Sequence, residues 1–442
     1  MSTAVTTKSP SDTAARYRSV RGQTLALCEP LTPEDMMVQS TPEASPAKWH
    51  LAHTAWFFES FVLGEFLPGY RLFNPDFPWL FNSYYLSFAS FPEKRLRSSF
   101  SRPGLAEVLR YRQHVDEAVE RLLDHNPQPE ALQRIELGLN HEEQHQELLL
   151  TDILNAFHLN PIRPVYLPEG PAKNLGAPGL EPETGESSPP GSPSCPLRFQ
   201  AFPGGLHEIG HSGPGFCYDN ELPRHRVWLE PYALASRLVT CGEFAEFIAD
   251  GGYRRHELWL SDGWAAVGRN GWQAPLYWAR DSDSWNLFTL RGEQPLARMA
   301  SAPVSHVSLF EADAYARWAG RRLATEFEWE AAAQGQSQPL TGNLLDSGRL
   351  LPAPAPEPAQ SENQVQQMTG DCWEWTSSAY LGYPGYKPAA GALGEYNGKF
   401  MSGTMVLRGG SCATPAAHIR ATYRNFFAPE TRWQFSGIRL AS

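Results

Sequence analysis

The chain has 442 residues, enough at about 150 per domain for two or three domains with buried cores. Hydrophobic residues make up 42% and aromatics 12%, which excludes a largely disordered polypeptide. Acidic side chains outnumber basic ones 48 to 37, for a net charge of −11 at pH 7, and no Lys/Arg cluster stands out. No electrostatic footprint for nucleic acid or an anionic membrane surface is present, and small-molecule chemistry is the expectation that remains. Six cysteines (Cys28, Cys195, Cys217, Cys241, Cys372, Cys412) stand singly without a CxxC pair, as fits a reducing cytoplasm. The stretch Met1 to Ala15 lacks the apolar core of a signal peptide, and no run of about 18 apolar residues occurs. A soluble cytoplasmic protein is expected.

Apolar periodicity predicts a first helix over Ala14 to Leu27 and a second over Pro46 to Leu63. Arg102-Pro103-Gly104 marks the start of a third, in which Leu105, Val108, Val115, Ala118, Val119 and Leu122 line one face. A fourth runs over Glu130 to Ala156. Four such helices predict an antiparallel bundle over 12–168. The stretch from Glu169 to Pro196 is dominated by Pro, Gly, Ser and acid, too few apolar groups to pack, so 169–198 reads as a linker. Beyond it, 199–442 carries short apolar runs, Gly and Trp between irregular stretches, with Leu309 to Ala319 and Glu326 to Ala333 helical. Leu350 to Gln366, rich in Pro and Ala, reads as a loop within that domain. The expectation is a mixed α+β domain held by buried Trp264, Trp318, Trp329, Trp373 and Trp375 rather than by a regular sheet stack.

The sharpest local signal is Asn140-His141-Glu142-Glu143-Gln144-His145-Gln146-Glu147 in the fourth helix. Histidines four apart share a helical face, so both imidazoles can reach one metal ion; they can equally be a solvent-facing pair. A third ligand would come from another helix of the bundle, and both His50 and His53 are available there. Spacing does not choose between them. The octet also fits HExxH, with Glu142 as the general base of a zinc hydrolase, although no familiar downstream ligand follows.

At this point the residues resemble a known family. SPAKWHLAHTAWFFE (Ser45 to Glu59), FNSYYLSF (Phe81 to Phe88) and HEEQHQE (His141 to Glu147) look like the N-terminal DinB-like four-helix bundle of the ergothioneine-biosynthesis sulfoxide synthases, the EgtB family. FPGGLHEIG, DNELPRHRVWL, GDCWEWTSS and VLRGGSCATP resemble the formylglycine-generating-enzyme fold, a C-type-lectin-like mixed α+β domain. Each half alone is weakly specific, and their order is far more so. The resemblance implies an α+β protein that binds one Fe(II) through His53, His141 and His145, which selects His53 over His50. It implies an O2-dependent coupling of a thiol sulfur to the imidazole of hercynine (trimethylhistidine), with oxidation to the sulfoxide.

Carried over residue by residue, it makes Tyr84, with Tyr85 as a close partner, the proton donor beside the metal. Gln144, Asn425 and Phe426 line the hercynine site. Relatives that use γ-glutamylcysteine place an acid and an arginine where Phe427 and Thr431 stand here, so free cysteine is the expected thiol. Its carboxylate needs an arginine, and Arg95 and Arg97 are both candidates. Four alternatives stay open: the same coupling with γ-glutamylcysteine, ovothiol-type coupling to histidine, the HExxH zinc hydrolase and a non-catalytic lectin-like binding module. A copper-dependent formylglycine-generating oxidase needs a cysteine pair of which only Cys412 is found. A homo-oligomer is compatible with the sequence, which does not fix the assembly.

Overall fold

The computed structural model describes residues 9–86, 90–168, 195–335, 340–356 and 365–442. Most of the linker, residues 87 and 88 of the FNSYYLSF run, and 357–364 lie outside these. Helices α1 (Pro10–Cys28), α2 (Ala47–Phe58), α3 (Leu105–Asp124) and α4 (Pro129–Leu159) form the bundle. α1 packs on α3 and α4, and so does α2, which closes the ring. Ser9 caps α1 by accepting from the Asp12 N–H, and Pro10 occupies its first turn, where no N–H is missed.

The second expected helix is present and runs on to Phe66, with a π-helical turn over Glu59–Leu63 following α2. Buried Glu59 holds this turn, accepting from the Tyr70 and Tyr111 hydroxyls at 2.6 and 2.7 Å. Every residue of α2 is buried, since the other bundle helices cover one side and the segment leading to α3 covers the other, where Lys48 donates to the Phe100 and Pro103 carbonyls and Trp56 to that of Pro78.

The second domain begins at β1 (Phe199–Phe202) and contains four small sheets among the described residues. One joins β1 to Tyr232–Ala235, Leu440–Ala441 and Arg322–Leu323; another joins Asn425–Phe427, Met405–Arg408, Trp373–Ala379 and Ser436–Gly437 in that order. In the latter Asn425–Phe427 is an edge strand, with Val406 opposite Phe426 and Leu407 opposite Asn425. The expected helices are present at Leu309–Trp318 and Glu326–Gln334, and two more of similar length occur, Cys241–Ala249 and Ser261–Asn270, besides the four-residue helices Leu296–Met299 and Glu395–Gly398.

Of the five tryptophans expected in the core, Trp329, Trp373 and Trp375 are buried. Trp264 is 38% exposed and Trp318 only half-buried, its indole N–H donating to surface Asp250. Buried ion pairs hold the irregular backbone instead. Glu326 accepts from Arg408 and Arg424 at 2.8 Å, and Glu374 from Arg439 at 2.7 Å.

The two domains share one core, because Tyr277, Leu345, Cys412 and Phe435 pack into the same apolar cluster as the bundle helices. α4 makes the polar joints. Glu147, buried, accepts from the Trp373 indole, the Ser411 hydroxyl and the Thr414 hydroxyl at 2.8, 2.5 and 2.6 Å. Gln144 donates to the Tyr423 hydroxyl at 2.7 Å, and Asn155 to that of Tyr277 at 3.2 Å. Residues 144, 147, 151 and 155 lie on one face of α4, next to the face carrying 141, 145 and 152.

Candidate active site

His53 from α2 and His141 and His145 from α4 converge, each with one ring nitrogen within 4.8 Å of the others, all buried. His53 Nδ1 lies 2.6 Å from the Phe81 carbonyl oxygen, which can only accept, so Nδ1 carries the proton and Nε2 keeps a lone pair. The Nε2 atoms of His141 and His145 are 3.1 Å apart. The His53 ring is stacked with Trp49 and Trp56, at centroid distances of 4.3 and 5.2 Å, which fixes its plane. Burial pushes the His141 imidazole down to about 4, and those of His53 and His145 well below the ordinary histidine value. All three are therefore neutral at physiological pH, the state in which imidazole offers its lone pair to a metal. Three clustered neutral nitrogens with no carboxylate among them fit a divalent transition metal.

His50, the competitor for the third position, does not join this group. Its Nδ1 lies 2.8 Å from His145 Nδ1 and its Nε2 lies 3.2 Å from Asp152 Oδ2, so it stands behind a member of the trio.

Glu142 is unavailable as a hydrolase base. One residue on from His141 turns it about 100° round the helix, into the bundle interior. There it is fully buried and accepts from Arg21 at 2.8 Å, Arg112 at 3.0 Å and Thr24 at 2.7 Å. Burial would raise its carboxyl pKa, yet Arg21 and Arg112 hold it below the usual range.

A cavity of about 570 Å³ opens on the three histidines and is lined from both domains. Tyr84, Tyr85, Arg97, Gln144, Asn425, Phe426 and Phe427 all line it. Arg95 does not. It stands on the surface with its Nε donating to Glu93 at 2.6 Å, so of the two arginine candidates Arg97 is the one that faces the cavity.

Arg97 is 4% exposed, its guanidinium 3.4 Å from the centroid of the Trp49 ring and donating to the hydroxyls of Ser45 and Ser83 at 2.8 Å. Among the described residues no carboxylate pairs with it, and burial lowers its pKa to about 10. An unpaired buried guanidinium at a cavity wall is a seat for an anion.

The tyrosine pair divides between two environments. Tyr85 is buried against Trp56 and Phe61, and burial raises its pKa. Tyr84 is half-buried and meets the second domain, with its ring 5.2 Å from Phe400 and 6.0 Å from Tyr396, and its carbonyl accepting from Lys399. Phe426 stacks on Tyr380 at 4.1 Å and 11°.

Sequence reasoning missed Asp152, Tyr218, Tyr396 and His418, which also line the cavity. Asp152 had a readable signal, seven residues after His145 on the same helical face. The other three come from loops and a four-residue helix, too short to carry a period.

The fold and site together define a two-domain protein with a buried three-histidine centre at the junction. Family models agree: residues 198–442 match the sulfatase-modifying factor enzyme 1-like domain and residues 16–149 the DinB superfamily. Among curated proteins, the chain is 33% identical to the hercynine oxygenase of Mycolicibacterium smegmatis, over 95% of this chain and 96% of that one. It is 31% identical to that of Mycobacterium tuberculosis over 98% and 99%. The formylglycine-generating enzyme of Streptomyces coelicolor is 28% identical over 60% of this chain and 95% of its own. The chain belongs to the hercynine oxygenase family.

Proposed function

We propose that this protein is an Fe(II)- and O2-dependent sulfoxide synthase that joins the sulfur of cysteine to the imidazole of hercynine, giving hercynylcysteine sulfoxide in ergothioneine biosynthesis. One observation carries the reading: a neutral three-histidine centre and an unpaired buried arginine open on the same cavity in a chain that matches a hercynine oxygenase over 95% of its length. The bundle over 12–168 holds the metal through His53, His141 and His145, and the domain over 199–442 closes the site. No helix among the described residues is long and apolar enough to cross a membrane, in keeping with a cytoplasmic enzyme.

The electrons balance. A hercynine C–H and the cysteine S–H give way to a C–S bond, the sulfur gains one oxygen atom, and the second atom of O2 leaves as water. An iron held by His53, His141 and His145, three neutral ligands, would supply a net positive charge favourable to a thiolate and redox access to O2. The remaining tasks fall to the chain. Arg97 holds the cysteine carboxylate, which orients the thiol. Gln144, Asn425 and Phe426, with the aromatic wall around them, receive the carboxylate and quaternary ammonium of hercynine. Tyr84, at the face between the domains, is the proton donor, and Tyr85 packs behind it.

Phe427 and Thr431 offer no charge to a γ-glutamyl arm, which favours cysteine. A second reading, with γ-glutamylcysteine as the thiol, draws support from Lys94 and Glu43, which also line the cavity and carry opposite charges. Anaerobic reconstitution with Fe(II), followed by mass spectrometry after adding O2, hercynine and either thiol, tests both. Sulfoxide from cysteine is the expected product; metal-loaded protein that forms no coupled product with either thiol would sink the proposal.

A further inference from the structure

The three histidines are not supported alike. The second nitrogen of His53 is held by a backbone carbonyl, and His141 Nδ1 is buried with no hydrogen-bond partner among the described residues. His145 Nδ1 meets another imidazole, that of His50, which in turn meets the carboxylate of Asp152. None of the roles assigned above uses His50 or Asp152, yet both are buried, at 2% and 7% exposure.

We propose that His50 and Asp152 are a positioning pair that fixes the ring plane and tautomer of His145. The inference rests on the reading of the three histidines as a metal site. His145 Nε2 faces His141 Nε2 at 3.1 Å and must keep its lone pair to serve as a ligand. Its proton therefore sits on Nδ1 and is donated to His50 Nδ1 across 2.8 Å. His50 then carries its own proton on Nε2 and donates it to Asp152 Oδ2 across 3.2 Å. The reverse arrangement, with His50 Nδ1 donating, would place the His145 proton on Nε2 and remove the ligand. The same Asp152 oxygen accepts the Ser45 N–H at 2.8 Å, so the far end of the relay is anchored to backbone. Ser45 also accepts from Arg97 through its hydroxyl, which places the anchor between the metal ligand and the proposed carboxylate seat.

The relay crosses the bundle, because His50 lies on α2 one turn before His53 while Asp152 lies on α4 two turns after His145. It thereby fixes the two ligand-bearing helices relative to each other at the centre itself. It also brings a carboxylate toward a set of ligands that contains none, with one imidazole interposed. Partners behind a metal-binding imidazole typically contribute 10- to 100-fold, roughly, to metal affinity.

The test uses the full chain as His50→Leu, Asp152→Asn and the double variant. Fe(II) affinity is measured anaerobically by competition with a chromophoric chelator, Co(II) absorption bands report ligand geometry, and the melting temperature of each apoprotein reports the fold. His50→Leu should weaken Fe(II) by about 10- to 100-fold and shift the Co(II) bands without a matching loss of apoprotein stability. Asp152→Asn should lose less, because an acceptor oxygen remains. The double variant should match His50→Leu, since both substitutions act on one ring in series. His50→Gln should recover part of the affinity, its amide oxygen replacing the lost acceptor. Single variants that keep Fe(II) affinity within about threefold of the parent and leave the Co(II) bands unmoved would overturn the pair's role. Additive losses that track apoprotein melting would do the same. If His50→Leu fails to fold, unchanged affinity and bands in Asp152→Asn are sufficient to overturn it. A parent protein that retains no metal would instead overturn the proposed function, so the two failures are distinguishable.

Discussion

The bundle wall of the cavity takes its polar groups from two long helices, with His50 and His53 on α2 and His141, His145 and Asp152 on α4. The facing wall draws Tyr218 from before a three-residue turn, Tyr396 from a four-residue helix, Phe400 from a loop and Asn425 from an edge strand. The first wall is periodic and its members support one another through hydrogen bonds. The second is aromatic, and buried arginine–glutamate pairs keep its strands in place. On the proposed function the metal ligands fall on the regular wall, and most of the hercynine pocket falls on the irregular one.

Substitutions can break this division, and the largest effect belongs to the bundle wall. His53→Ala is expected to lose both bound metal and coupling, measured as metal per chain after gel filtration. If it retains one iron per chain, the helical wall is not the metal wall. Tyr84→Phe should keep metal and both substrates yet lose most sulfoxide, by about 100-fold, with thiol diverted to simple dioxygenation. Product analysis decides it, and an unchanged ratio and rate would move proton donation to Tyr85 or to water.

On the irregular wall the expected effects are smaller. With saturating hercynine, γ-glutamylcysteine should show at least about tenfold lower kcat/KM than cysteine, because Phe427 and Thr431 supply neither of two charge-assisted contacts. Equal turnover of the two thiols would assign the glutamyl arm to other residues, with Lys94 and Glu43 first in line.

The last prediction concerns the fastening of that wall. Glu326 clamps Arg424, the neighbour of Asn425, and Glu326→Gln should cost about 3 kcal/mol of stability by leaving two buried cations facing a neutral amide. Burial would raise the Glu326 carboxyl pKa, but Arg424 and Arg408 hold it below the usual value. Its contribution is therefore full above the unfolded value of about 4.3 and is lost as pH falls through the folded one. Melting curves should show the gap between parent and variant closing below pH of about 4, while a gap that stays constant with pH would contradict this assignment.

The periodic wall was largely legible in the sequence. Apolar spacing located all four bundle helices, and the one-turn histidine pair identified α4. The choice of His53 over His50 came only from the family resemblance, because residues three apart both lie near one face of a helix. What separates them is which helix each ring meets, a tertiary fact. In the second domain the helix at Cys241–Ala249 escaped notice although Thr240 and Glu243 form a capping box at its start, a local signal that an apolar-period search passes over. Trp264 and Trp318 were misjudged because an indole is large enough to lie against a surface with one edge wet.

The turn between Phe81 and Tyr85 has a final consequence. The Phe81 carbonyl orients His53, the Asn82 side chain bonds both the N–H and the carbonyl of Tyr85, and Ser83 accepts from Arg97. Five consecutive residues thus act as a ruler that spaces the His53 imidazole, the tyrosine pair and the Arg97 guanidinium. Inserting a single glycine there would leave every helix intact and every functional side chain present, yet put all three out of register at once. Although loops ordinarily tolerate changes in length, this one should resist them as a helix core does.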